Sequence, residues 1–226
     1  MIEITEDNFT KFAYGKSRDF DFRNVKSPFF RWDTEVNDMW TDPILYETNS
    51  YGFRTKEFEE CRDSIIFLGC SSTFGIGLPS DRIWCHHVAK KLGLPYFNLS
   101  VAAGSLDSAF RVLSEWMPVI KSKIVFLQIP QPRREIVCPE ENLILRVMPA
   151  NKRVKNFHIM LNDADYGLNR KKNLLSIEKI CESYDSKFVS LERSNFIGKM
   201  WARDKLHFGY DCHEHFAKVA LSEYGE

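Results

Sequence analysis

The spacing of apolar positions along the chain changes near residue 64. From there, continuous apolar runs of strand length, such as Ile65–Leu68, alternate with longer segments in which apolar residues recur every three or four positions. Continuous runs are typical of strands buried on both faces of a parallel sheet, and the longer period is typical of helices buried along one face. The pattern predicts strands at 64–69, 96–99, 124–129 and 187–191 and helices at 82–92, 105–119, 169–184 and 211–223.

This alternation predicts an α/β fold. Strands that alternate with helices of this length form right-handed crossovers and a parallel sheet, so we expect a three-layer α/β/α sandwich with a central parallel sheet. In open sheets of this class, ligands bind beyond the carboxyl ends of the strands. The residues that directly follow each predicted strand are therefore the first place to look for chemistry.

Two segments lie outside the alternation. Residues 1–60 have little periodicity and many aromatic side chains, and we interpret them as an N-terminal arm packed on a domain at 61–226. Residues 133–168 fit the pattern badly and predict an insertion over one end of the sheet. Such an arm commonly covers a sheet edge or a helix face. Alternatively, the aromatic residues of the arm would form a wall beside a substrate. These residues are Phe29, Phe30, Trp32 and Trp40.

Composition narrows the classes of function. The 226 residues carry 31 basic and 31 acidic side chains, and this balance argues against a nucleic-acid binder that works by neutralising phosphates. No apolar run approaches the ~20 residues of a membrane span, and the N-terminus lacks the pattern of a secretory signal. The six scattered cysteines contain no CxxC pair, so we expect reduced thiols in a cytoplasmic protein. The sequence indicates no cofactor and leaves the oligomeric state open.

A candidate nucleophile follows the first predicted strand, in the run Gly69-Cys70-Ser71. A serine at a strand-to-helix turn presents its hydroxyl at the top of the sheet, and its backbone N–H can face a developing oxyanion. The run by itself is also compatible with a turn that carries no chemistry. A phosphate-binding loop is a weaker interpretation, because GxxxxGK[ST] and GxGxxG are both absent. Cys70 is an alternative nucleophile, one residue away from the expected exposed position.

Two further elements lie after later strands. Gly104 follows the second predicted strand and opens a helix, where a glycine can bring its N–H close to a reacting carbonyl. Near the C-terminus, Asp204 and His207 are three residues apart. In a turn, that carboxylate can bind imidazole Nδ1 and leave Nε2 facing a nucleophile. An ordinary surface turn is the alternative explanation of this DxxH spacing.

In this chain order, the three elements resemble the motifs of the SGNH, or GDSL, hydrolase superfamily, whose fold is a flavodoxin-like α/β/α sandwich. Residues 49–54, with the sequence NSYGFR, also resemble the NSxGFR run that often precedes the first strand in such proteins. The resemblance implies a triad of Ser71, His207 and Asp204, with the N–H groups of Ser71 and Gly104 in the oxyanion hole. We therefore expect Ser71 and His207 to lie within hydrogen-bond reach.

The chain departs from the family pattern at two points. Cys70 stands where the family usually has aspartate, a residue that supports the loop. The family's GxND block is absent, and Gln131 takes the place of its asparagine, so that the Gln131 amide would complete the oxyanion hole. Losing one such donor costs about 10²–10³ in rate. Arg133 and Arg134 follow, and we expect Arg133 to meet an anionic substrate, with plain solvation of both side chains as the alternative.

The sequence thus predicts a serine esterase that cleaves a short ester, with acetyl as the expected acyl group and a carbohydrate or small alcohol as the other half. The alternatives are a catalytically inactive SGNH-like module for binding or assembly, and an acyltransferase that uses the same site. A metal site is a weaker rival, because residues two apart on a helix diverge by about 200° and chelate poorly. Its ligands would come from His207, Asp211, Cys212, His213 and His215.

Overall fold

The computed structural model describes residues 9–13, 44, 46–138, 143–147, 163–195, 197–204 and 206–226. Strands and helices alternate through most of the chain from residue 65 onward. In order, they are β1 (Ile65–Leu68), α1 (Ser71–Phe74), α2 (Trp84–Leu92), β2 (Tyr96–Asn98), α3 (Leu106–Ile120), β3 (Ile124–Gln128), β4 (Arg134–Cys138), β5 (Leu143–Val147), α4 (Asp163–Ser183), β6 (Lys187–Leu191) and α5 (Tyr210–Tyr224).

The central sheet has four parallel strands in the order β2-β1-β3-β6. In this register Leu68 of β1 lies opposite Leu127 of β3, and Leu127 lies opposite Ser190 of β6. The carboxyl ends of all four strands therefore meet at one edge. The predicted parallel sheet is confirmed, and each predicted strand is present to within one or two residues at its ends.

Helices cover both faces of this sheet because successive residues of a strand point to opposite sides. On one face, Ile66 and Leu68 pack in a core with Val112 of α3 and Ile177 of α4. On the other, Ile65 and Phe67 pack in a second core with side chains of α2 and α5, including Trp84, Val88 and Phe216. The predicted three-layer α/β/α sandwich is confirmed.

The segment predicted as an insertion contains regular structure. β4 and β5 form an antiparallel pair, with Arg134 opposite Val147. Helix α4 then begins at Asp163, six residues before the predicted start at 169. Its first turns carry few apolar residues, so the periodicity that marks a helix is weak there. Residues 139–142 and 148–162 lie outside the described part of the chain.

A short piece of the N-terminal segment packs on α3. The guanidinium of Arg111 donates to the carbonyl oxygens of Thr10 and Phe12 at 2.5 and 2.8 Å, and Trp116 Nε1 donates to Lys11 at 2.8 Å. These contacts place residues 9–13 on α3, and the packing of the arm as a whole stays a prediction. The four aromatic residues named above for a substrate wall lie outside the described residues.

Among the described residues, no helix has both the length and the apolar character needed to cross a bilayer. The cysteines found as free thiols are Cys61, Cys70, Cys85, Cys181 and Cys212.

Candidate active site

The turn after β1 holds Ser71 at the carboxyl edge of the sheet. A Cβ atom on Gly69 would lie 2.2 Å from Thr73 Oγ1, so only glycine lets the chain turn this tightly. Ser71 is the first residue of α1 and is half-buried. As in the first turn of any helix, its backbone N–H has no intrahelical acceptor.

Gln128, a buried glutamine, supports the turn after β1. Gln128, the last residue of β3, accepts hydrogen bonds from Cys70 Sγ at 3.4 Å and from Thr73 Oγ1 at 3.3 Å, and donates to the carbonyl of Ile129 at 2.6 Å. Cys70 is 6% exposed and its thiol faces Gln128, so the thiol is badly placed to attack a substrate. Sequence reasoning missed Gln128, although a lone polar residue ending a buried strand was a usable signal.

The NSYGFR run before β1 braces the same turn. Arg54 is buried, and its guanidinium donates to the carbonyl oxygens of Phe74 at 3.1 Å, Gly75 at 2.7 Å and Leu78 at 2.9 Å. It also stacks on the ring of Tyr46 at 4.6 Å. Burial lowers the pKa of Arg54. We call Arg54 and its three carbonyl partners the Arg54 brace.

Asn49, at the start of the NSYGFR run, folds the segment that carries Arg54. Asn49 Oδ1 accepts the backbone N–H groups of Tyr51 at 3.1 Å and Phe53 at 3.0 Å, which folds the segment into a tight turn. The Tyr46 hydroxyl accepts the Gly77 N–H at 2.7 Å. Residues 46–54 therefore hold the chain just beyond α1 at several points, and so restrict where Ser71 can sit.

The DxxH segment forms the predicted carboxylate–imidazole pair. Asp204 is 7% exposed, and its Oδ1 accepts the backbone N–H groups of Leu206 and His207, both at 3.0 Å. Its Oδ2 lies 2.5 Å from His207 Nδ1. The carboxylate is thus fixed by the backbone, and it fixes the ring so that Nε2 points away from it.

The environment keeps Asp204 ionised. Burial alone would raise the pKa of this carboxyl, but the hydrogen bond and charge of His207 and the two backbone N–H groups outweigh it, so the pKa lies below its ordinary value. A carboxylate that stays charged can stabilise the imidazolium that forms when His207 takes a proton.

The DxxH segment contacts the loop that follows α1 at Gly77. The backbone N–H of Arg203 donates to the carbonyl of Gly77 at 3.1 Å, and a Cβ atom on Gly77 would lie 2.7 Å from Ala202 Cβ and 3.2 Å from Asp204 Oδ1. The DxxH segment therefore packs against the chain that follows Ser71. Within the described residues, no hydrogen bond joins Ser71 to His207 Nε2. Their direct contact stays a prediction.

The loop after β2 requires a correction. The N–H of Gly104 donates to the carbonyl of Val101 at 2.8 Å, so it closes its own turn and does not face an oxyanion in this structure. Ala103 instead adopts a left-handed conformation with φ +58°, is exposed, and has an N–H without a partner among the described residues. A glycine that opens a helix predicts a free amide at its own position, but this turn places the free amide one residue earlier, at Ala103.

Gln131 and Arg133 follow β3 as predicted and contact each other. Gln131 Oε1 accepts from Arg133 Nη2 at 3.2 Å, which leaves the amide NH₂ of Gln131 available as a donor. Arg134 is different, because it pairs with Asp107 at 3.2 Å and Asp165 at 2.8 Å. The structure therefore separates the two arginines, and Arg133 is the one without a carboxylate partner in the described part of the chain.

The residues of the rival metal site have other roles. Asp211 accepts the backbone N–H groups of Lys199 and Met200 ahead of α5. His213 is buried, and its Nδ1 accepts the Trp84 N–H at 3.1 Å. Burial lowers the pKa of His213 to about 3. Across the described ranges, no three histidine, cysteine, aspartate or glutamate side chains come together as ligands.

Comparisons with known proteins find similar structures. No family model and no curated protein match the chain. Among solved structures, TesA is 16% identical with a TM-score of 0.38, over 71% of this chain and 74% of that one. The psychrotrophic esterase EstA from Pseudoalteromonas sp. is 12% identical, TM-score 0.38, over 70% and 74%. Axe2, an acetylxylan esterase from Geobacillus stearothermophilus, is 14% identical, TM-score 0.36, over 75% and 97%.

A G-D-S-L family protein from Desulfitobacterium hafniense is 11% identical, with a TM-score of 0.39, over 72% of this chain and 74% of that one. The sandwich and the site described above rest on the strand order, layers and hydrogen bonds of the chain itself.

Proposed function

We propose that the chain is a serine esterase of the SGNH type that hydrolyses a short ester, with acetyl as the acyl group and a carbohydrate or small alcohol as the other half. The observation that carries this proposal is the Asp204–His207 pair, whose Oδ2 and Nδ1 atoms lie 2.5 Å apart. The pair is held against the loop of Ser71 by the Arg203–Gly77 hydrogen bond. A buried carboxylate that orients a partly exposed imidazole is typical of a general base.

The proposed reaction has two steps. His207 Nε2 takes the proton of Ser71 as its Oγ attacks the ester carbonyl, and the imidazolium then returns the proton to the departing alcohol. In the second step His207 activates water, which attacks the acyl-enzyme and releases the acid and free Ser71. Asp204 stays ionised throughout and stabilises the imidazolium.

The developing oxyanion needs donors near Ser71. The N–H groups of Ser71 and Ala103 are the backbone candidates, and the amide of Gln131 is the side-chain candidate. Preorganised donors of this kind act on charge that develops in the transition state. We assign Ala103 in place of Gly104 because the Gly104 N–H is already bound to Val101 at 2.8 Å.

Ester hydrolysis tests this function. The specificity constant kcat/KM should be measured for p-nitrophenyl acetate, butyrate and octanoate, with Ser71→Ala as the test variant and Ser72→Ala, a buried neighbour, as the matched control. We expect acetate to be the best substrate and Ser71→Ala to lose at least about 10³ in kcat. A preference for octanoate would contradict the short-chain assignment, and activity that survives Ser71→Ala would contradict the mechanism.

A second candidate is a catalytically inactive module with the same fold. The observation in its favour is that Ser71 and His207 share no hydrogen bond within the described residues, and that Gln131 replaces the family's asparagine. The two candidates differ in the reactivity of Ser71. A fluorophosphonate forms a covalent adduct with an activated serine, and an inactive module would give none at this position.

A further inference from the structure

A small cavity of about 190 Å³ lies beyond the carboxyl end of β3, between the chain that follows this strand and the first turns of α4. Its apolar lining includes Leu106 and Ile129, and its polar lining includes Gln131, Arg133 and Tyr166. Taking about 30 Å³ for each water molecule in the liquid, the space equals roughly six waters. It therefore fits one small polar group with a short stem.

Two buried donors in the lining have no acceptor among the residues that the structure describes. Arg133 Nε and the Tyr166 hydroxyl are both shielded from solvent, and neither has a hydrogen-bond partner in the described part of the chain. Tyr166 as a whole is 9% exposed. Burial raises the pKa of Tyr166, so its hydroxyl keeps its proton. Native proteins rarely bury such donors without an acceptor, and these two point to a ligand that accepts hydrogen bonds.

The charges around the cavity favour an anion with a single negative charge. Arg170, at the cavity wall, pairs with Glu192. Arg134 is neutralised by its two aspartates, as described above. Arg133 is left as a positive charge without a carboxylate partner among the described residues, and its one polar contact is Gln131 Oε1. A single uncompensated guanidinium matches one carboxylate better than a doubly charged phosphate.

The geometry of the donors also fits a carboxylate. A guanidinium can offer Nε and Nη hydrogens side by side to the two oxygens of a carboxylate, and the Tyr166 hydroxyl can donate to one of them. Asn169 adds to this set, because its Oδ1 is occupied by Asn173 Nδ2 at 3.2 Å and its own NH₂ is left to donate.

The cavity and the turn of Ser71 follow neighbouring strands at the same edge of the sheet. β3 pairs directly with β1, with Leu127 opposite Leu68, and the cavity begins just past the end of β3 while Ser71 lies just past the end of β1. We propose that this cavity anchors a carboxylate carried by the substrate in addition to its ester. This inference rests on the proposed esterase function for its kinetic part, but the anchoring itself is a binding property that can be measured alone.

The binding property is tested with butyrate and its neutral analogue butyramide, titrated into the full chain at pH 7.5 and followed by ligand-detected NMR. We expect butyrate to bind at least about tenfold more tightly than butyramide, because hydrogen bonds to charged groups are the stronger ones. Arg133→Gln should weaken butyrate binding at least tenfold, Tyr166→Phe should weaken it less, and Arg133→Lys should restore part of it. Lys171→Gln, an exposed positive charge on α4, is the matched control and should bind as the wild type does.

Equal affinity for butyrate and butyramide would overturn the proposal, as would wild-type butyrate binding by Arg133→Gln. Thermal unfolding of each variant shows whether it is folded. If Arg133→Gln does not fold, Tyr166→Phe decides, since it removes one hydroxyl and should still weaken butyrate measurably.

The kinetic part asks which half of the substrate carries the carboxylate. One pair of esters, mono-4-nitrophenyl glutarate and 4-nitrophenyl butyrate, places the charge in the acyl half. A second pair, 4-acetoxybenzoate and its methyl ester, places it in the alcohol half. We expect the charged ester to have the higher kcat/KM in one of these two pairs. In that pair, the ratio of kcat/KM for the charged ester to kcat/KM for the neutral ester should fall at least about tenfold in Arg133→Gln.

A ratio that Arg133→Gln leaves unchanged in both pairs would overturn the assignment of the cavity to the substrate. The failure of the proposed function has a different signature. In that case no ester is cleaved by the wild type, while the preference for butyrate over butyramide and its dependence on Arg133 are still measured.

Discussion

Replacing Arg54 by methionine removes the guanidinium but keeps most of the apolar side chain. In the wild type, this group donates to three carbonyl oxygens at 2.7–3.1 Å, all in the chain just beyond Ser71. The variant leaves those carbonyls without their donor at a place where water has little access, since Arg54 is 5% exposed. We expect the loop to loosen and the whole chain to lose stability.

The size of the loss follows from the three bonds. Each hydrogen bond to a charged group contributes about 1.5–3 kcal/mol, and a buried carbonyl left unpaired costs about 1–3 kcal/mol. Part of this is offset because the variant no longer buries a charge, a burial that is costly enough in the wild type to lower the pKa of Arg54. We therefore expect the free energy of unfolding to fall by about 2–4 kcal/mol, which corresponds to a Tm lower by roughly 5–15 °C.

Two assays separate a structural role from a positioning role. Urea unfolding gives the change in stability, and the second-order rate of fluorophosphonate labelling at a temperature where the variant is folded reports the position of Ser71. We expect labelling to slow at least about tenfold, since small displacements of reacting groups are costly. Arg54→Lys keeps the charge but cannot reach all three carbonyls. Its stability and its labelling rate should therefore lie between those of the wild type and of Arg54→Met. A variant as stable as the wild type would refute the Arg54 brace, and unchanged labelling in a destabilised variant would refute its positioning role.

Three further predictions concern the same edge of the sheet. Gly69→Ala places a methyl 2.2 Å from Thr73 Oγ1 and should lower Tm and slow labelling together. Burial lowers the pKa of His213 to about 3, whereas a histidine in the unfolded chain has a pKa of about 6.5. As the pH falls, the unfolded state therefore protonates this histidine before the folded state does. Stability in urea should therefore decline from pH 6.5 towards 3, and His213→Gln should flatten that slope. Asp204→Asn should lower kcat on p-nitrophenyl acetate by about 10³–10⁴ with little change in KM, because the amide cannot stabilise the charged ring of His207; a loss below tenfold would contradict the pair's role.

The fold was accessible from the sequence because its strands are buried on both faces. Runs such as Ile65–Leu68 and Ile124–Gln128 are almost wholly apolar. A run of this kind that is followed by a segment with helical periodicity is compatible with few folds other than a parallel α/β sheet. The start of α4 was misplaced because its first turns are polar and their position depends on contacts such as that between Arg134 and Asp165. The pairing of β4 with β5 falls in a segment whose apolar pattern did not fit the α/β alternation.

The candidate site was accessible in part. Ser71, Asp204 and His207 stand in short motifs whose spacing predicts the chemistry, and the hydrogen bond between Asp204 and His207 is present in the structure. The free amide of Ala103 could not be found this way, because the left-handed conformation there belongs to a residue that seldom adopts it.

The role of the NSYGFR run also needed the structure. Arg54 acts on carbonyl groups 20 to 24 residues away, and backbone carbonyls leave no signature in the sequence. The same applies to Gln128 at the end of β3, which contacts Cys70 and Thr73 in the turn that follows β1. Short motifs indicate candidate reacting groups such as Ser71, whereas Arg54 and Gln128 are recognised only from contacts that are distant in sequence.

The central claim is that Ser71 is an activated nucleophile, and covalent labelling tests it most directly. The full chain is incubated with a fluorophosphonate and the modified residue is located by peptide mass spectrometry, with Ser72→Ala as the matched control and His207→Gln to test activation. We predict an adduct on Ser71 that is retained in Ser72→Ala, absent in Ser71→Ala, and formed at least about 100-fold more slowly in His207→Gln. A folded wild-type chain that gives no adduct under conditions that fully label a known serine esterase, or an adduct that persists in Ser71→Ala, would contradict the account.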